Sequence, residues 1–306
     1  MNRNIKGSAI LLTAAFLWGI AFSEQSVAAD KVPAFLCNSL RSVVGVLFLL
    51  VYLFVRKGKR RFELLPKDSA KRKKFLRCGL ICGILLTVAA NFQQFGIMLY
   101  PDGIAGEARA GFLTALYVLL VPIFSVFGGK RADWKLWCAV ILAVLGVYFL
   151  CLSSGISGIY LGDILVFCSA IAFAVHILAI DRFGAEVEGV RLSMMQFVVV
   201  AICSAVFSAF TERTTVTAVL SAAPQILYLG IVSSGIAYTL QIVGQKFAEP
   251  TVASISMSTE SVFAALGGWI LMGNALSLRE ICGCILVFCA IVLAQLPRRL
   301  KKSKKD

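Results

Sequence analysis

Apolar residues occur along this chain in long unbroken runs, and polar residues collect between the runs. Ten runs stand out, over 8–28, 34–55, 78–98, 104–127, 134–152, 161–181, 192–210, 224–245, 251–272 and 279–297. Each is close to the roughly 20 residues a helix needs to cross a hydrocarbon core about 30 Å thick. Strands of a membrane barrel would instead alternate apolar and polar over about ten residues. The pattern therefore predicts an all-α integral membrane protein of ten transmembrane helices. Arg3 and Lys6 flank the first run, as they would flank a signal peptide. No small-residue cleavage pattern closes that run, so it reads as a permanent span.

Composition agrees with this reading. Of 306 residues, 59% are hydrophobic and 15% charged, against roughly 25% charged in an ordinary soluble domain. The net charge of +14 could suggest nucleic acid, but its placement points to membrane topology. With the N-terminus in the cytoplasm, 25 of the 30 Lys and Arg residues fall in cytoplasmic segments. Three (Lys31, Arg213 and Arg279) fall in outer loops, and Arg41 and Arg109 lie inside helices. Basic residues collect on the cytoplasmic side of membrane proteins, so both termini are expected there. The expected setting is multi-pass, in a bacterial plasma membrane. Eleven basic residues crowd the loop 56–77, and anionic lipid headgroups are its expected partner. A homodimer is allowed, and nucleic acid is not expected.

The chemistry-bearing residues exclude several classes. Ten cysteines are scattered without a Cys-x-x-Cys pair, and His176 is the only histidine. The common zinc patterns are therefore absent, and cysteine serves here as a small apolar residue. No G-x-x-x-x-G-K-[ST] loop is present, which argues against a primary pump. A membrane enzyme would need a cluster of His, Asp or metal ligands at the interface, and none is apparent. No catalytic residue, cofactor or metal is expected.

Ten helices divide into two halves of five. An odd number per half makes the halves run in opposite senses, an arrangement common in transporters. At an offset of 147, Gln94 falls on Gln241, Tyr100 on Phe247, Asp102 on Glu249, and Phe112-Leu113-Thr114 on Thr259-Glu260-Ser261.

Several local stretches carry a family resemblance. They are Ala14-Ala15-Phe16-Leu17-Trp18-Gly19, Asn38-Ser39-Leu40-Arg41, and Ala110 through Tyr117 on to Pro122. In the second half they are Ala237-Tyr238 with Gln241, and Glu260-Ser261-Val262-Phe263-Ala264-Ala265. In order and spacing the chain resembles the drug/metabolite transporter superfamily, EamA type, over roughly residues 8–297. Two positions depart from that pattern. Glu260-Ser261 stands where the family has Glu-Pro, and Gly273-Asn274 where it has Gly-Glu. The resemblance implies two inverted five-helix repeats, 8–152 and 161–297, followed by a basic cytoplasmic tail, 298–306. It also implies a central cavity lined by helices 1, 3, 4, 6, 8 and 9. The cargo would be an amino acid, a nucleotide-linked or other small metabolite, or an organic cation. The leading expectation is a secondary transporter of an amino-acid-like or amine-like metabolite working by alternating access. A proton-coupled organic-cation exporter and a non-transporting receptor are the alternatives.

An ionisable side chain at mid-bilayer costs roughly 2.5–3.5 kcal/mol on insertion scales, so it needs a partner, a cavity or a function. Glu260 lies mid-run among Ser256, Ser258, Thr259 and Ser261. It either meets substrate or a proton, or fixes helix packing. Glu24 and Arg41 fall in the outer half of the first two helices. They are expected to pair, as a gate, a structural clamp or a substrate contact. Arg109, near the outer end of the fourth run, is expected to snorkel to the interface. His176 is either a proton relay or a neutral core histidine. Asn91, Gln93 and Gln94, with Tyr238 and Gln241, offer an uncharged polar lining. Of these Asn91, Gln94, Tyr238 and Gln241 are the chosen candidates. Trp18 and Tyr117 either contact substrate through their rings or pack the core. Pro122 leaves the Val118 carbonyl without its helical partner.

Overall fold

Long apolar runs with no alternation fold as helices, because only a helix satisfies every backbone group within one segment in lipid. A computed structural model describes residues 3–57, 65–101, 106–129, 134–151, 159–185, 187–263 and 277–295. The described residues are helical, with no strand. The long helices are α1 (Arg3–Ala29), α2 (Ala34–Lys57), α3 (Ser69–Met98), α6 (Trp134–Cys151), α7 (Leu161–Phe183) and α8 (Gly189–Thr211). The fourth predicted span is two helices, α4 (Gly106–Ala115) and α5 (Tyr117–Phe127). A short α9 (Val216–Ser221) precedes the eighth span. That span is built of α10 (Ala223–Tyr228), a π-helical stretch Leu229–Ala237, and α11 (Tyr238–Gln245). The ninth begins as α12 (Pro250–Met257), and α13 (Leu278–Gln295) closes the chain. The ninth run beyond residue 263, the centre of the basic loop and the tail 298–306 lie outside the described residues.

Seven helical stretches among the described residues are long and apolar enough to cross a membrane. Residues 134–149 and 281–293 form two shorter apolar helices. Polarity is inverted relative to a soluble domain. Leu47, Val51, Ile141, Ile202 and Phe288 face outward, while Asn38, Gln94, His176, Gln196, Gln241 and Glu260 are buried. Such an exterior suits lipid, and the interior polar groups must find partners or a cavity.

The third helix begins earlier than its apolar run. Asp68 caps it by accepting from the Lys71 N–H at 2.7 Å. Residues 69–77, expected as loop, therefore continue α3, with Lys71, Arg72, Lys73, Lys74 and Arg77 exposed. The start of α2 is capped from far along the chain. Both Glu212 carboxylate oxygens accept from the backbone, Oε1 from Phe35 N and Oε2 from Leu36 N, each at 2.8 Å. A carboxylate there also meets the positive end of the helix dipole. It fastens the end of α8 to the start of α2, and these two helices pack along each other. α3 packs on α7 and α8, α6 on α13, and α1 on α11. At the α3–α7 contact, a Cβ on Gly162 would sit 2.7 Å from the Gly96 carbonyl oxygen. Only glycine allows that backbone approach.

Candidate functional site

Three of these helices are irregular where they meet. α4 gives way to α5 at Leu116, whose carbonyl is shared by the N–H groups of Leu119 and Leu120. Pro122 adds a missing donor just beyond. In the eighth span, the Tyr238 N–H reaches back five residues to the Ser233 carbonyl, the signature of a π-helical turn. Gly230 and Gly235 in that stretch press on Val44 and Phe48 of α2. In the ninth span α12 stops at Ser258–Thr259, although the proline that would kink it is absent. Side-chain hydroxyls crowd the break. Ser258 donates to the Ile255 carbonyl at 2.9 Å, Thr259 to Ser256 at 2.7 Å and Ser261 to Ser258 at 2.7 Å. Such local bonds compete with the helical ladder and loosen it.

Tyr117, Tyr238 and Glu260 are the residues immediately after these three irregularities. All three line one small cavity, about 40 Å³ in volume. Tyr117 Oη donates to Glu260 Oε1 at 3.1 Å, with both side chains buried. The Trp18 indole stands edge-on to Tyr238 at 4.8 Å between ring centroids. Arg41 also lines the cavity. It is only 4% exposed, and its Nη1 donates to Gln25 Oε1 at 3.2 Å. Phe22, Phe173, Ile177 and Met257 form an apolar wall. Three lining side chains keep buried polar atoms without a hydrogen-bond partner among the described residues, namely Arg41 Nε, Trp18 Nε1 and Gln241 Oε1.

The expected site residues divide into two groups. Trp18, Tyr117, Tyr238, Gln241 and Glu260 gather at the cavity, and Arg41 joins them. Asn91, Gln94 and His176 are buried but do not line it. Asn91 donates to the Thr87 carbonyl and to Ser204 Oγ, and it accepts from Asn38. That makes it a tie between α2, α3 and α8. Gln94 donates to the Gln25 carbonyl at 3.1 Å. The lining amide from α3 is its neighbour Gln93, which donates to Thr114 Oγ1. His176 pairs its Nε2 with Gln196 Oε1 at 3.1 Å, beside Tyr238 rather than in the cavity. The expected Glu24–Arg41 ion pair does not form among the described residues. Gln25, one residue on and about 100° round the helix, takes the place of Glu24. Gln25, Gln93, Thr114 and Ser233 are the polar lining residues missing from the chosen set.

A second cluster lies where α4 and α7 begin. Arg109 does not snorkel. It donates to Asp163 through Nε at 3.0 Å and Nη2 at 2.5 Å, a bidentate pair with side chains 9% and 10% exposed. Tyr100 Oη at 2.9 Å and the Tyr160 N–H at 3.0 Å also donate to Asp163. The guanidinium lies 4.9 Å above the Tyr160 ring. Elsewhere in the bundle, Ser256 Oγ donates to Ser8 Oγ at 3.0 Å, joining α12 to α1.

Residues 5–152 and 160–296 each match the EamA-like transporter family. The chain belongs to that family. Its role is therefore membrane transport rather than enzymatic catalysis. An Archaeoglobus fulgidus protein named as an uncharacterized transporter is 28% identical over 292 residues, 94% of this chain and 84% of that protein. The Bacillus subtilis uncharacterized transporter YoaV is 18% identical over 293 residues, 92% of this chain and 94% of that one. A solved crystal structure shares the fold, with a TM-score of 0.75 at 22% identity, covering 95% of this chain and 96% of its own. As an EamA-like transporter, the chain meets both lipid and a small-molecule substrate.

Proposed function

We propose that this transporter is a secondary carrier for a small amino-acid-like or amine-like metabolite, working by alternating access. The observation that carries the reading is the cavity at the junction of three irregular helices, with Glu260 and Tyr117 bonded across it. Discontinuous helices at the centre of a bundle are where carriers of this kind bind cargo. The proposal includes ten helices in two inverted repeats, 8–152 and 161–297, with both termini in the cytoplasm of a bacterial plasma membrane. Two successive matches to one family support the repeats. The exposed basic face of residues 69–77 suits anionic lipid.

Two contacts fit an alternating cycle. In the proposed topology, Arg109–Asp163 joins the repeats at the outer side, and Ser8–Ser256 joins them toward the inner side. Opening either side separates one of the two. An organic-cation exporter is a weaker reading, because Arg41 puts positive charge into the same cavity.

The test is purified protein in liposomes, offered a panel of amino acids, amines and nucleosides. Uptake or exchange of at least one amino acid or amine is expected, reduced at least about tenfold by Glu260→Ala, as for loss of one buried polar contact. No flux and no ligand-induced thermal stabilisation across the panel would sink the reading.

A further inference from the structure

We propose that Arg41 is the recognition group for a carboxylate on the cargo, so that the substrate is a zwitterion rather than a simple amine. The inference rests on the transport reading and narrows it. Arg41 sits within α2, buried and facing the cavity. Arginine is permanently charged and presents five N–H donors in a planar fork. Here one nitrogen, Nη1, bonds a neutral amide oxygen on Gln25, and Nε has no partner among the described residues. Neither Glu24 nor Glu260 forms an ion pair with it among the described residues. A buried cation with no counter-charge is costly. The cavity thus holds a cationic fork whose natural complement, a planar carboxylate accepting two parallel hydrogen bonds, is not supplied by the described residues.

The other groups fit a molecule with two opposite ends. Glu260 supplies an acid at a separate point of the same cavity, and Tyr238 lies within electrostatic reach of both Arg41 and Glu260. The remaining unpartnered atoms are of two kinds. Trp18 Nε1 is a donor, suited to an anion, and Gln241 Oε1 is an acceptor, suited to an ammonium. Phe22, Phe173, Ile177 and Met257 supply an apolar wall that a hydrophobic side chain would meet. An amine alone would answer Glu260 and Gln241 and leave Arg41 buried against nothing.

The experiment uses two sets of matched compounds. One is L-phenylalanine, phenethylamine and 3-phenylpropionate. The other is L-leucine, isoamylamine and 4-methylpentanoate. Each compound is tested for flux in liposomes and for thermal stabilisation of the detergent-purified chain, with wild type, Arg41→Gln and Arg41→Lys. For the wild type, at least one amino acid is expected to act at least about 100-fold below the concentration its amine needs, since a site built to bond a group rejects analogues lacking it. In Arg41→Gln that gap should shrink to less than about threefold, and Arg41→Lys should restore part of it. An amine that works as well as its amino acid in wild type overturns the assignment. A gap that persists in Arg41→Gln also overturns it. If Arg41→Gln fails to fold, Arg41→Lys decides, because it keeps the charge and loses the fork. Its amino-acid response must fall at least about tenfold with the amine response unchanged. Silence from every compound overturns the proposed amino-acid-like or amine-like cargo, and the assignment with it.

Discussion

Breaking the Arg109–Asp163 pair should be among the most damaging changes available outside the cavity. The perturbation is a cycle of Arg109→Ala, Asp163→Ala and the double variant. Removing one partner of a buried ion pair costs about 3–5 kcal/mol. Here the lower end applies to Arg109→Ala, because Asp163 keeps two donors, Tyr100 Oη and the Tyr160 N–H. Asp163→Ala removes the acceptor for all four contacts and should cost at least as much. The double variant should lose less than the sum, with a coupling of at least about 1.5 kcal/mol, as found for close charged pairs. Cys37, Cys78 and Cys82 are buried. A thiol-reactive dye reports unfolding as a rise above the folded-state signal of the exposed Cys282 and Cys289, with apparent midpoints compared at one heating rate. At about 2–4 °C per kcal/mol, Arg109→Ala should melt about 6–12 °C below wild type, and Asp163→Ala at least as far below. Shifts under about 2 °C, or single effects that add to within about 0.5 kcal/mol, would refute the claim that this contact holds α4 to α7.

Three further outcomes follow from other contacts. Tyr117→Phe removes the hydroxyl that donates to Glu260 and should cost about 0.6–1.7 kcal/mol, the range for hydrogen bonds inside membrane proteins; an unchanged melting midpoint would contradict this. Gly162→Ala pushes a Cβ to 2.7 Å from the Gly96 carbonyl oxygen and should cost about 1–3 kcal/mol by overpacking, whereas an exposed Gly129→Ala control tests only local backbone strain at its positive φ. Burial, followed by the bond to Asp163, holds the Tyr100 phenol above its ordinary value of 10. Above pH 10 the folded protein therefore keeps a proton that the unfolded chain releases, so stability should fall as pH rises from there. Tyr100→Phe should flatten that alkaline slope in a pH series of melting curves, and an identical slope would show that another group sets it.

The helices were legible because hydrophobic length alone dictates a span, and runs of this composition have no competing structure in lipid. Their rotation was much less legible. In a soluble helix the apolar stripe marks the buried face, but these helices are apolar nearly all round, so the pattern does not say which residue turns inward. That is why the sequence pointed to Glu24 and Gln94, while the adjacent Gln25 and Gln93 line the cavity. Irregularities were hidden for a related reason. An apolar run reads continuously through Leu116 and through Leu229–Ala237, and hydrogen bonding rather than hydropathy interrupts it. The ion pair of Arg109 with Asp163 and the cap of Glu212 on α2 join positions 54 and 177 residues apart. No local pattern encodes partners at that distance. Glu260 and Tyr117 were accessible because a lone acid and a lone phenol deep in apolar runs are conspicuous wherever they point.

The interruption of the ninth span differs in kind from one made by proline. A proline ring removes a donor permanently, whereas every backbone N–H at Ser258, Thr259 and Ser261 is still present. At the break three hydroxyls are aimed at carbonyls one turn back. Glu260 comes first after the break. Its carboxylate is held at the cavity by the phenol of Tyr117, on a turn whose backbone donors, unlike those of a proline break, are all intact.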